Sequence, residues 1–330
     1  MALLELKNLN KSFDLSSKLL FKKSNNLLHV VRDISLNIEE GECFVLVGES
    51  GCGKSTLAKL VCRILEPDSG ELYFNNENFL NLKANEFRKK RKAMQMVFQN
   101  PFSSLDPRFK IFDSIAEPLR VNKGEEGFPK NEVEIKEKVF ELMSLVELDE
   151  ILAQKYPHQC SGGQNQRVCI ARAIACNPKL IIADEAVSAL DVSVQWTVLR
   201  LMKKLKDELG ISFLFITHDL AVVKYIADRV GVMYLGEIVE LSSKENLFKN
   251  PSHPYTKALL NAAPIPDPKQ RDRERIFLEG EIPKANKIPS GCTFHTRCPE
   301  AYADCKVSKP DPINISVNNE KHCVSCLLYK

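Results

Sequence analysis

CysPheValLeuValGlyGluSerGlyCysGlyLysSerThr, residues 43–56, reads as an apolar strand, a glycine-rich turn and the start of a helix at Lys54. Gly48 to Ser55 fit the spacing G-x-x-x-x-G-K-S/T, with the strand before and the helix after that this phosphate-binding pattern requires. Glycines at 48, 51 and 53 let the backbone curl so that consecutive N–H groups point into one concavity, a nest for phosphate oxygens at a helix N-terminus. Lys54 can then reach the β and γ phosphates, and the Ser55 hydroxyl can ligate Mg²⁺, a cation that prefers oxygen donors.

Composition bounds what such a stretch can belong to. At 330 residues the chain is long enough for one large or two modest domains with a sizeable core. Its 46 Lys and Arg against 43 Asp and Glu leave a formal charge of +3, too balanced for a protein that binds nucleic acid through bulk charge. MetAlaLeuLeuGluLeuLysAsnLeuAsn at the start lacks the apolar core of a signal peptide, and no stretch approaches a transmembrane run of apolar residues. The chain is therefore expected to stay in the cytosol and to meet a membrane only through partners.

The 11 cysteines are unevenly spread. Cys43, Cys52, Cys62, Cys160, Cys169 and Cys176 read mostly as small core or loop residues. Cys292, Cys298, Cys305, Cys323 and Cys326 crowd the C-terminal end, and in a reducing compartment clustered thiols favour a metal or cluster site over disulfides.

Outward from the phosphate-binding stretch, residues 2–9 and 29–38 alternate (Leu4, Leu6; then Val31, Ile34, Leu36, Ile38) and predict strands of an antiparallel layer. Residues 14–28 between them are polar and lysine-dotted, which predicts a surface loop. Phe13 closes the first strand and is a candidate to stack on a nucleotide base. The helix from Lys54 is predicted to reach about Leu65, followed by a turn at 67–70 and the strand GluLeuTyrPhe. ArgLysLysArgLys at 88–92 reads as a solvated helix face rather than a nucleic-acid patch.

MetGlnMetValPheGln, residues 94–99, predicts a buried strand that presents Gln99 at its end, where α/β folds offer ligand-contacting groups. From 111 to 155 apolar residues recur at steps of three and four (Ile135, Val139, Leu142, Val146) with no strand between, which predicts a helical insertion. ProHisGlnCysSerGlyGlyGlnAsnGlnArg at 157–167 opens a helix running to about Cys176. Ser161 is its N-cap candidate, and Gly162 and Gly163 leave the first N–H groups open to a second anion.

LysLeuIleIleAlaAspGluAla, 179–186, is a continuous apolar run ending in two carboxylates, which predicts a central parallel strand beside the phosphate loop. Asp184 is then placed to hold Mg²⁺, and Glu185, turned the other way by the pleat, to address an attacking water. After the turn SerAlaLeuAsp at 188–191, Val194, Val198, Leu201, Leu205 and Leu209 mark an amphipathic helix. IleSerPheLeuPheIleThr is the next buried strand, ending at His218 and Asp219, which puts His218 near the γ phosphate. The fold expected is α/β: a P-loop NTPase core of parallel sheet and helices, an antiparallel β layer, a helical insertion and a small Cys-rich C-terminal extension.

Taken together these motifs resemble the ATP-binding subunits of ABC transporters. On that resemblance Gly48, Glu49, Ser50, Gly51, Cys52, Gly53, Lys54, Ser55 and Thr56 form the phosphate loop and Gln99 is the Q-loop glutamine, close to nucleotide and Mg²⁺. CysSerGlyGlyGln at 160–164 is the signature motif, so that Ser161, Gly162, Gly163 and Gln164 bind nucleotide. Asp184 and Glu185 are the magnesium and catalytic acids, Ser188 to Asp191 the D-loop, with Asp191 at the nucleotide, and His218 the switch histidine. The implied catalytic set is Glu185, His218, Gln99 and Lys54; the implied magnesium ligands are Ser55, Gln99 and Asp184; Phe13 is the implied base-stacking aromatic.

The resemblance narrows to the ATPases of oligopeptide and dipeptide importers, nearer the F-type than the D-type subunit. GlnAsnProPheSerSerLeuAspProArg at 99–108, AlaValSerAlaLeuAspValSerValGln at 186–195 and HisProTyrThrLysAlaLeuLeu at 253–260 carry it. Ala186 stands where the family usually has proline, Asn165 where arginine is common, Cys160 where Phe or Leu is usual and Trp196 where a small residue is common. None removes a phosphate, metal or water ligand.

The C-terminal pattern is similar to one that holds a 4Fe-4S iron–sulfur cluster, which would make Cys292, Cys298, Cys305 and Cys326 its ligands; four thiolates also suit zinc, and the absence of any metal stays open. The implied domains are an ABC ATPase domain over 1–262, with a helical subdomain at about 100–176, and an extension over 263–330. With one phosphate loop and one signature motif, the chain needs a second ATPase subunit, a D-type paralogue, in a head-to-tail dimer. Two integral membrane permease subunits, and a substrate-binding protein reached through the complex, complete the implied partners, with no nucleic acid among them. The place implied is peripheral, on the cytoplasmic face of the cell membrane. The cargo implied is oligopeptides or dipeptides, with nickel, glutathione or an antimicrobial peptide as alternatives.

Overall fold

Uninterrupted apolar runs fold as strands shielded on both faces, and alternating runs as strands with one face outward. The computed structural model describes residues 2–14, 27–262, 280–316 and 321–330. Its strands are β1 (Ala2–Asp14), β2 (Leu27–Glu39), β3 (Cys43–Val47), β4 (Ser69–Phe74), β5 (Glu77–Asn78), β6 (Met94–Val97), β7 (Leu180–Asp184), β8 (Ser212–Thr217), β9 (Arg229–Tyr234), β10 (Glu237–Ser243), β11 (Ile313–Asn314) and β12 (Cys323–Val324). Its α-helices are α1 (Lys54–Val61), α2 (Ala84–Lys90), α3 (Pro101–Ser104), α4 (Ile111–Val121), α5 (Glu132–Leu145), α6 (Gly162–Ile174), α7 (Val192–Leu209), α8 (Leu220–Ile226), α9 (Lys244–Lys249) and α10 (Pro254–Ala262). They fall into two compact units, one of residues 39–43 and 81–216, the other of residues 2–38, 44–80 and 217–330.

In the first unit β6, β7 and β8 pair in parallel, Met94 opposite Leu180 and Leu180 opposite Ser212. Every residue of β7 and β8 is buried, as their apolar runs require. A strand has two hydrogen-bonding edges, and those of β7 are taken by β6 and β8. β7 is thus a central parallel strand, as its apolar run predicts. β6 was expected to be buried, but Gln95 and Met96 are only half-buried, because this strand pairs on one side alone. Between β6 and β7 the described chain is helical, and Ile135, Val139, Leu142 and Val146 are all buried at the predicted spacing. The basic run at 88–92 lies on α2 and the turn after it, largely exposed. On α7 the inward face holds Val198, Leu201 and Leu205, whereas Leu209, read as part of it, is 49% exposed. It is the last helical residue before Gly210, whose φ of +65° turns the chain away.

In the second unit β3 runs parallel to β9, and β9 pairs antiparallel with β10, which in turn carries β12 and β11. A separate antiparallel sheet has the order β2-β1-β4-β5, the expected layer. Its first strand runs on to Asp14, so Phe13 belongs to it. The loop predicted over 14–28 falls mainly outside the described residues. Helix α1 stops at Val61, short of Leu65: Arg63 takes a left-handed φ of 50°, and the N–H groups of Ile64 and Leu65 turn back to the Lys59 carbonyl at 2.8 and 3.2 Å.

The C-terminal segment is fastened to β9 and β10 by polar and aromatic contacts. Phe294 packs between Tyr234 and Tyr255, with centroids 5.2 and 5.5 Å away, burial worth about 1.5–3 kcal/mol for a ring of this size. Glu240 is buried and accepts hydrogen bonds from the backbone N–H groups of Ser252 and His253, both at 2.8 Å, and lies 2.7 Å from His322 Nε2. These partners hold its carboxyl below the usual range against the opposing effect of burial.

His253 is likewise buried, and the Tyr255 N–H donates to its Nδ1 at 3.1 Å, which keeps that nitrogen unprotonated. Burial pushes its pKa down to about 4. Because the folded value lies below that of the unfolded chain, the unfolded state binds the extra proton more readily as pH falls. The stability from this group is thus intact above about pH 6.5 and lost on the way to pH 4, by about 3 kcal/mol in all. Denaturant titrations at pH 7 and pH 5 are expected to show the loss, and a His253→Gln variant a shallower dependence over that interval.

Candidate active site

The phosphate-loop groups belong to the second unit. Gly48 ends the buried strand β3 so close to β9 that a Cβ there would sit 2.2 Å from the Met233 carbonyl oxygen. Gly53 has φ +110°, and a Cβ on it would lie 2.4 Å from the Val30 carbonyl oxygen, so side chains are excluded at both ends of the turn. Between these pins the turn delivers the chain into α1 at Lys54. The Lys54 ammonium, almost fully buried, donates to the carbonyls of Gly48 at 2.7 Å and Glu49 at 2.9 Å. Burial raises the Cys52 thiol beside it, and the ammonium offsets part of that rise. Ser55 is exposed and Thr56 half-buried at the helix start.

Glu49 is held from two distant points of the chain. Its N–H donates to the Tyr255 hydroxyl at 2.9 Å, and its carboxylate takes both Nη atoms of Arg297 at 2.8 and 3.1 Å. Sequence reading missed both partners. They lie 206 and 248 positions away, beyond the reach of any local pattern.

In the same unit His218 is exposed just past β8, between Thr217, whose hydroxyl accepts the Asp219 N–H at 3.0 Å, and Asp219, which caps α8 through the Ala221 N–H at 2.8 Å. Phe13 is half-buried on β1 with the Lys11 ammonium 5.7 Å from its ring centroid.

The acidic groups belong to the first unit. Asp184 is the buried last residue of β7. Glu185 does not follow by pleat alternation, as the sequence reading had it. Its φ is +49°, a left-handed conformation costing a non-glycine residue about 1–3 kcal/mol, and that twist re-aims the side chain. The conformation is fastened by the Glu185 N–H donating to the Ile216 carbonyl at 3.0 Å and by the Ser188 hydroxyl donating back to the Glu185 carbonyl at 2.9 Å. Gln99 donates one amide hydrogen to Glu185 Oε2 at 3.0 Å and reaches Ser188 Oγ at 3.2 Å. The structure therefore brings Gln99, Glu185 and the first D-loop residue together. Asp191 is exposed at the start of α7 and offers its carbonyl to the Gln195 N–H at 2.8 Å.

The glycine turn at 161–164 is also in this unit. Ser161 caps α6 by accepting the Gln164 N–H at 3.3 Å while the Gln164 side chain accepts the Ser161 N–H at 2.9 Å, a reciprocal pair worth about 0.5–2 kcal/mol. A Cβ on Gly163 would lie 2.3 Å from Val194 of α7, so this position needs glycine for close packing. Gly162 is half-buried. Asn165 is fully buried and donates to the Pro157 carbonyl at 2.8 Å, steadying the turn before the motif.

A family described as "ABC transporter" matches residues 31–188, and one described as "Oligopeptide/dipeptide transporter, C-terminal region" matches 239–305. The chain is 45% identical over 327 residues to the oligopeptide transport ATP-binding protein OppF of Haemophilus influenzae, covering 98% of this chain and 96% of that one. It is 45% identical over 329 residues to the oligopeptide transport ATP-binding protein AppF of Bacillus subtilis, covering 99% and 97%. The chain belongs to the ATP-binding subunits of ABC transporters.

Among solved structures, the dimeric ATP-binding cassette MJ0796, in a post-hydrolysis state with ADP and Pi, is similar at 31% identity and a TM-score of 0.64, over 73% of this chain and 98% of that one. Membership makes the chain an ATPase coupled to transport, with permeases as partners. Among the described residues no helix is long and apolar enough to cross a membrane.

In the C-terminal segment Cys292, Cys305 and Cys326 are buried and Cys298 is half-buried, all as free thiols. Burial raises Cys292, Cys326 and Cys298, the last to about 11, and smaller increments come from one another's charge: Cys326 and Cys305 act on Cys292, Cys292 and Cys326 on Cys298, and Cys305 on Cys326. The four thiols thus share one neighbourhood, although among the described residues no group of three or more His, Cys, Asp or Glu side chains is arranged to hold a metal ion.

Lys54 is the candidate for a charge-assisted contact to the triphosphate. A Lys54→Ala variant is expected to bind ATP about 10- to 100-fold more weakly in a fluorescence titration.

Proposed function

We propose that this chain is one of two ATP-hydrolysing subunits of an importer that carries oligopeptides or dipeptides across the cell membrane. The observation that carries the reading is the pairing of the two family matches on one chain, the ATPase at 31–188 and the oligopeptide/dipeptide C-terminal region at 239–305. The domain division follows the same line, with an ATPase domain over 1–262 and an extension over 263–330.

The proposed roles follow from the groups described. Backbone N–H groups of the phosphate loop and the Lys54 ammonium bind the β and γ phosphates. Ser55, Asp184 and Gln99 offer the oxygen donors that suit Mg²⁺, whose charge offsets that of the phosphates. Glu185 takes a proton from the attacking water as its oxygen bonds to the γ phosphorus and the bond to the bridging oxygen breaks, leaving ADP and phosphate. Gln99, bonded to the Glu185 carboxylate, orients it, and His218 contacts the γ phosphate. Ser161, Gly162, Gly163 and Gln164 complete the site of a second, D-type ATPase subunit head to tail, with Asp191 at the shared nucleotide, and Phe13 stacks on the base. Closure over ATP and release after hydrolysis then move two permease subunits between inward- and outward-facing states, from the cytoplasmic face, on cargo delivered by a substrate-binding protein.

The extension is proposed to hold a 4Fe-4S cluster on Cys292, Cys298, Cys305 and Cys326, or zinc on the same thiolates. What supports this is the donor set, four soft ligands in one neighbourhood and none in a disulfide. Such a group would supply a cross-link within a segment of little regular structure.

Glu185→Gln in the assembled transporter is expected to retain ATP binding and to lower turnover by roughly 10²- to 10⁴-fold, the range for a lost general base. Near-normal hydrolysis would assign the water to another group. Iron and zinc analysis of anaerobically purified protein decides the occupant of the thiols: iron with a brown absorbance shoulder is expected, and a colourless, metal-free sample removes both assignments.

A further inference from the structure

The C-terminal segment is the part of the chain farthest in sequence from the phosphate loop, and it supplies an ionic contact to that loop. Arg297 meets Glu49, the second residue of the loop, with both Nη atoms at 2.8 and 3.1 Å, a fork-to-carboxylate geometry. Only 7% of the Arg297 side chain and 26% of the Glu49 side chain are exposed. The other face of the guanidinium environment is the Tyr234 ring, 5.9 Å to its centroid, itself packed against Phe294. The Glu49 N–H is bound by the Tyr255 hydroxyl, so backbone and side chain of this one residue are fixed independently.

A carboxylate on the loop that cradles a triphosphate repels it unless the charge is balanced. Lys54 does not balance it by contact, since its ammonium is directed to the Gly48 and Glu49 carbonyls. The balancing charge is Arg297. We propose that Arg297 is a positioning residue of the ATPase: it neutralises and orients Glu49, so that the phosphate loop reaches full ATP affinity only when the C-terminal segment is docked. By the reciprocity of linked equilibria, bound ATP strengthens that docking in turn. The inference rests on ATP binding at this loop.

The test is a double-mutant cycle on the full chain, with ATP affinity measured by titration and KM and kcat in the assembled transporter. Arg297→Gln leaves a largely buried carboxylate unbalanced and is expected to weaken ATP binding about tenfold, raising KM while kcat at saturating ATP stays within about threefold. Arg297→Lys keeps the charge without the fork and is expected to lose less. Adding Glu49→Gln to Arg297→Gln removes the repelling charge and is expected to bring affinity back to within about threefold of wild type. A double variant no better than the single one, or an Arg297→Gln protein with wild-type affinity, overturns the proposal, as does an affinity loss in Arg297→Gln that is matched by an equal loss of stability measured without ATP. Wild-type protein that binds no ATP would instead overturn the phosphate-loop assignment.

Discussion

Two positions without room for a Cβ carry the chemistry of this protein. Gly48 passes against the Met233 carbonyl and Gly53, in a left-handed conformation, against the Val30 carbonyl. Pinned at both ends, the intervening loop is led into α1 at Lys54, whose ammonium is held on the loop's own Gly48 and Glu49 carbonyls. The buried strands β3 and β9 supply the rigid support, since their apolar residues stay fixed only when shielded from water.

The acidic unit solves a different problem with the same economy of parts. The chain turns at Glu185 through a left-handed φ instead of extending β7, which takes the carboxylate off the strand that delivers it. Strain of that kind persists only where neighbours over-determine it. Here the neighbours are the Ile216 carbonyl, Ser188 and the Gln99 amide, which link the Glu185 carboxylate to the loop behind β6. That linkage gives the Q-loop a direct hold on the proposed base.

The C-terminal segment is more than an appendage in this light. Glu240, His253 and His322 form a buried polar network, Phe294 fills an aromatic socket, and Arg297 reaches the phosphate loop. A segment with few regular elements is thereby tied to the tightly closed turn at 48–53. The cysteines that line this segment lie one residue from Arg297 at Cys298, which places the proposed metal ligands next to the contact that conditions the loop.

Much of this was legible in the sequence, because the phosphate loop, the Ser161 cap, the acid pair at a strand end and the alternation of the antiparallel layer are local patterns. Their geometry is set by backbone rules acting over a few residues: where glycine permits a left-handed turn, where a hydroxyl can cap a helix, where apolar residues recur. Tertiary structure alone decided that β8 as well as β6 flanks β7, that β6 is half-buried, that Leu209 faces outward and that α1 ends at Val61. It also decided the partners of Glu49 and of Gln99. Those contacts depend on where the chain returns after 86, 206 or 248 residues, and spacing along a sequence carries no information about such a return. Residue type and local order determined what chemistry the chain can perform; the closing of distant segments onto one loop determined which charges that chemistry feels.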